Sequence, residues 1–262
     1  MENQFIKPAR ILMAIALIVF GVQHFIYRDF LPKLEPLPAG VPGRTALAYI
    51  FGSIIILSAL GIATGIMDRL AAVVIATICL TSVVFFHLPL LANNLHDPDK
   101  WACICEELAI GSTILVLAGM LPGKTEDKNA KVVRAGQIFF SITLIIFGIQ
   151  HFMYAEFIAT LIPGWIPFHI FWAYFVGVVF FSVAASIIFK RKTQLALTLL
   201  AAMFLFWVVF LHIPRVIDKP DNMDGWTSAA VALAMCAGSL VVARSVPGEQ
   251  VTVHALQRQS FH

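Results

Sequence analysis

The chain has 262 residues, 60% of them hydrophobic and only 13% charged, with a mean hydropathy of +0.87 and a formal charge of +3. A soluble globular protein carries about 25% charged residues, so this composition leaves too little polar surface to coat a globule in water. The small positive charge sits on loops between apolar runs and points to no nucleic acid.

Taken in chain order, Lys7 and Arg10 precede a first apolar run, residues 10–27. No small-residue cleavage site follows it, only His24 to Arg28, so it reads as a retained span rather than a signal peptide. Further runs follow at 46–66, 69–91, 102–121, 134–154, 168–189, 193–214 and 227–245. Each is close to the ~20 residues that cross a bilayer core as a helix, and none alternates as barrel strands do. The expected fold is therefore all-α, a polytopic membrane protein of eight transmembrane helices.

The chain repeats itself. Residues 10–31 and 137–158 agree at 11 of 22 positions, among them Phe20/Phe147, Gly21/Gly148, Gln23/Gln150, His24/His151 and Tyr27/Tyr154. At an offset of 125 the pairing continues with Gly52/Gly177, His87/His212, Pro89/Pro214, Asp99/Asp224 and Trp101/Trp226. Apolar bias alone aligns Leu with Ile; it does not align Gln, His, Tyr, Pro and Trp. The expectation is two four-helix bundles as parallel repeats, since an even number of spans brings the second copy in from the same side. The divisions are a first repeat over 1–121, a cytoplasmic linker over 122–134, a second repeat over 135–246 and a cytoplasmic tail over 247–262.

With the N-terminus inside, 12 Lys and Arg fall on the inner side and 6 on the outer. That ratio places both termini in the cytoplasm, with a bacterial inner membrane as the expected location. Six of the eight histidines then lie on the outer side. His24, His87, His151 and His212 form the repeated set, and Tyr27 and Tyr154 share a helical face with His24 and His151. Such residues near a bilayer surface suit a pocket, one per repeat, for a quinone head, a lipid head group, a haem or a metal, or they merely meet interfacial water. Asp99 and Asp224 are read as helix N-caps, and Trp101 and Trp226 as interface anchors.

The copies differ at the start of the fourth span, where Cys103, Cys105, Glu106 and Glu107 have no counterparts. The acids suit a helix N-terminus or a polar pocket. The thiols are candidates for redox work, although Cys-x-Cys on a helix points the two apart. This asymmetry places an expected ligand site in the first repeat, with His24 and His87 beside one of the acids. No phosphate loop, zinc motif or nucleophile elbow is found, so neither catalytic residues nor metal ligands are assigned.

Gly148, His151, Phe152, Phe157, Pro163, Trp165, Pro167, Tyr174 and Gly177 together make a pattern that resembles the DoxX-like membrane proteins. The first copy carries it more loosely, with Pro36 and Pro42 but no Trp between them. Members often place a Glu after the second-span Gly, where this chain has Ser53 and Val178. The resemblance implies a tandem duplication of a four-helix unit. It also implies a subunit or accessory protein of a membrane redox system that binds a quinone near the outer leaflet, with haem as the second choice of cofactor. Its partners would be the lipid bilayer, quinone and other membrane redox subunits. The rival readings are a non-enzymatic lipid-binding or membrane-protein assembly factor and, behind it, a transporter.

Overall fold

The structure is a computed structural model that describes residues 3–122 and 126–246, with side chains over 6–122 and 129–246. Residues 123–125 of the charged stretch, and the tail with His254 and His262, lie outside the described residues. Among the described residues, eight helices are long and apolar enough to cross a membrane, and there is no strand. They are span 1 (Ile6–Tyr27), span 2 (Arg44–Thr64), span 3 (Asp68–Ala92) and span 4 (Pro98–Met120), then span 5 (Asn129–Met153), span 6 (His169–Phe189), span 7 (Thr193–Asp218) and span 8 (Met223–Arg244). All-helical spans are what a bilayer demands, because every backbone N–H and C=O must find its partner within the segment. The helix carrying span 5 begins at Glu126, inside the charged stretch 122–134.

The spans pack as a ring in chain order, closed by span 8 against span 1, and spans 4 and 8 also touch each other across the middle. Two five-helix rings therefore share one central pair. One ring is made of spans 1, 2, 3, 4 and 8, the other of spans 5, 6, 7, 8 and 4. Each repeat borrows the fourth span of the other to close its wall. The repeated glutamines tie this arrangement. Gln23 accepts from Thr227 on span 8 at 2.8 Å, and Gln150 donates to the Pro98 carbonyl at the start of span 4 at 3.4 Å. The central pair comes close because Gly238 faces Thr113: a Cβ at 238 would lie 2.5 Å from the Thr113 hydroxyl. Small residues at such crossings are how helices associate without a hydrophobic driving force between them.

Spans 3 and 7 share a local feature. Each contains one π-helical turn, Val83–His87 and Val208–His212, at the same offset of 125 and each ending on the repeated histidine. The repeated prolines, Pro89 and Pro214, follow two residues later and have no N–H to continue the α-ladder. The wider turn takes up the mismatch and re-aims the histidine.

The caps of the fourth spans differ from expectation. Asp97 accepts from the N–H groups of Asp99 and Lys100, and Asn222 from that of Asp224. Pro98 occupies the first helical position, so the cap is the residue before it. Asp99 and Asp224 sit in the first turn, where a negative charge suits the helix dipole.

Candidate functional site

The repeated histidines start from the same local geometry. His24 Nδ1 lies 2.8 Å from the Phe20 carbonyl, and His151 Nδ1 lies 2.8 Å from that of Phe147. A carbonyl only accepts, so Nδ1 carries the proton and Nε2 is left to point elsewhere. Gly52 and Gly177 make room beside them, for a Cβ at either would press on the histidine's own Cβ at 2.8 and 3.0 Å.

Beyond that point the two rings differ. In the first ring, the loop after span 1 folds inward. Leu31 and Leu34 are buried, and Glu35 is only 6% exposed. The Leu34 carbonyl accepts from His87 Nε2 at 2.8 Å and from the Ser82 hydroxyl at 2.9 Å. Glu35 Oε2 lies 3.5 Å from Nε2 of His24, which is fully buried and has no other partner. His24 and His87 therefore meet on consecutive loop residues. Glu107 is also buried, 2% exposed, against the Cys79 thiol and within electrostatic reach of Glu35. The first ring is plugged by its own chain.

In the second ring the matching loop does not fill the space. At the offset of 127, Leu34 falls on Leu161, which is 45% exposed, and Glu35 falls on Ile162. The Leu161 carbonyl is taken by Arg215 rather than by His212. What remains is a cavity of about 850 Å³ walled by spans 4 to 8. Its deep end is apolar, with Phe180, Phe204 and Met235. At the loop end stand His151, His212, Tyr154 and Glu106, with Lys33 and Arg215 at the mouth. Trp165, Trp172 and Trp207 line the walls. Spans 6 and 7, which bound it on one side, are the most loosely packed neighbours in the ring.

Four of the ten residues singled out from sequence line the cavity of the second ring, His151, His212, Tyr154 and Glu106, while Glu107, next to Glu106 on span 4, faces the first ring. His24 and His87 lie under the first loop. Tyr27 is half-buried at the end of span 1 and does not line the cavity. Cys103 and Cys105 are both free thiols, the first half-buried and the second buried. Glu35, Lys33 and Arg215 were not singled out from sequence. The signal for Glu35 is an acid directly after a leucine in one copy where the other copy has isoleucine after the matching leucine.

The family model described as DoxX matches residues 5–88, which covers spans 1 and 2 and most of span 3. No curated protein and no solved structure matches the chain. With its eight apolar helices the chain is an integral membrane protein, and its first repeat is similar to DoxX over residues 5–88.

Proposed function

We propose that this protein holds an amphiphile with a small polar head, of the quinone or quinol class, in the cavity of the second ring. In this reading it serves a membrane redox system as an integral subunit or accessory protein. The observation that supports it is the polarity gradient of the cavity. Its aromatic and aliphatic depth suits a tail, and two histidines, a tyrosine and a carboxylate at the loop end suit a head group. The volume of about 850 Å³ is within the range of small-molecule sites. His151 presents an Nε2 lone pair, so a head that donates a hydrogen bond is well matched there. On the Lys/Arg distribution the cavity opens at the outer leaflet and both termini are cytoplasmic.

Lys33 and Arg215 at the mouth favour a second reading, a phospholipid whose phosphate meets the two cations, with no redox role. Tryptophan fluorescence separates them, since three of the five tryptophans line the cavity. Purified protein is titrated with a short-chain quinone, the matching quinol and a short-chain phosphatidylglycerol. Saturable quenching by quinone or quinol that weakens in His151→Ala and His212→Ala supports the first reading. Binding of phospholipid alone, lost in Arg215→Ala, overturns it in favour of the second.

A further inference from the structure

We propose that the first ring stores one exchangeable proton on the His24–Glu35 pair. The pair is built for it. His24 Nδ1 is committed to the Phe20 carbonyl at 2.8 Å, so a neutral imidazole shows only a lone pair at Nε2. That lone pair faces Glu35 Oε2 at 3.5 Å with no other partner, in a site where His24 is fully buried. Two acceptors facing each other away from water repel, and an ionised carboxylate there has lost its hydration. One added proton, on either atom, turns the contact into an ion pair or a hydrogen bond.

The loop is shaped to hold the carboxylate in this place. Glu35 N–H donates to the Leu31 carbonyl at 2.7 Å, the Leu31 N–H reaches back to Oε2 at 3.3 Å, and the Leu34 carbonyl is fixed by Ser82 and His87. Arg44 does not neutralise it, because that guanidinium binds Asp29 at 2.5 Å. The other charged groups around the cluster are Asp29, on the same loop as Glu35, and Lys100, facing His87 from span 4.

Glu107 is a further acid near the cluster, buried against Cys79 on span 4 and within electrostatic reach of Glu35. Uptake and release at the pair move a proton and no electron. The stored proton does not rest on the ligand-binding reading above.

The test uses ligand-free full-length protein in lipid nanodiscs, so its outcome is independent of whether the cavity binds anything. Infrared titration of the unmutated protein is expected to show a buried carboxyl or imidazolium band that shifts in D₂O. Glu35→Gln and His24→Phe are each expected to remove that same band, because the proton is shared. Glu107→Gln, outside the pair, is expected to keep the band. A Glu35→Gln spectrum identical to that of the unmutated protein overturns the stored proton, as does loss of the band in Glu107→Gln. If the pair variants do not fold, ¹⁵N-histidine resonances of the unmutated protein decide: no ring with a proton on or shared at Nε2 while Nδ1 is also protonated overturns the proposal.

Discussion

Equivalent histidines in the two repeats should carry different loads, and His24→Ala against His151→Ala measures the difference. Each substitution loses one Nδ1 bond to a helix carbonyl, worth about 1 kcal/mol, so that part cancels. His151 also gives up an edge contact with the Phe180 ring at 5.1 Å, and such pairs are worth about 0.5–1.5 kcal/mol. His24 gives up similar ring contacts with Phe30 and Phe51 at 5.8 and 5.5 Å. It also leaves Glu35 without its partner in a buried site, and breaking a buried pair in this way costs about 3–5 kcal/mol. The first-copy variant should thus be less stable than the second by about 3 kcal/mol. For chains of this size, at about 2–4 °C per kcal/mol, the gap in Tm is about 6–12 °C. Thermal unfolding of both variants in one detergent, followed by tryptophan fluorescence, reads the gap. In a Glu35→Leu background, His24→Ala should cost no more than His151→Ala does. Equal losses for the two single variants would refute the reasoning, because Glu35 would then gain nothing from His24.

Cys103 should react with a small methanethiosulfonate reagent before any other thiol, since Cys79, Cys105 and Cys236 are buried; mass spectrometry of the partly labelled protein shows whether another cysteine leads. A cysteine at position 128 should be labelled by an impermeant maleimide only after the cells are opened, as the Lys/Arg distribution requires. Labelling of intact cells would reverse the proposed orientation and move the cavity mouth to the cytoplasmic side.

The architecture was legible because polar residues rarely recur by chance in an apolar chain. Gln23 and Gln150 recur since each ties its span to the other repeat's fourth helix. The histidine–proline pairs recur since each builds the same π turn. Span boundaries followed from apolar length. The inward fold of the first loop was not legible in the same way. Residues 32–42 are rich in proline and carry no Trp to match Trp165, yet Leu34 and Glu35 enter the ring and meet His24, His87 and Ser82. That depends on packing between segments far apart in sequence. Looking for acids present in one copy only found Glu106 and Glu107 on span 4. The same comparison made in the loop finds Glu35 against Ile162. The expected ligand site in the first repeat assumed that unmatched polar residues mark the open half. The structure instead puts a loop over the first pair of histidines and leaves the open space beside the second pair.

Span 4 explains why its two acids are adjacent. It is the shared wall of both rings, packing on spans 3, 5 and 8. A helix in that position shows one face to each ring, and two consecutive residues are enough to address both. Span 8 holds the matching place by symmetry, but it carries Val231 and Ala232 at the offset of 125, where span 4 has Glu106 and Glu107. Both of those apolar residues line the cavity. Duplication alone would have produced two equal rings with two equal walls. Placing the Glu106–Glu107 pair in one central span only, and an acid at the Glu35 position of one loop only, makes the rings unequal in a single direction. The plugged ring gains buried carboxyl groups, and the other keeps an apolar space with a polar rim. Ile162→Glu tests that logic on the open side, where Ile162 is half-buried and lines the cavity: without Leu34-like packing to carry it inward, the new acid should form no pair with His151 and leave the ¹⁵N resonances of that ring unchanged. A His151 ring that gains a proton at Nε2 would show that the acid alone is enough to pull the loop closed.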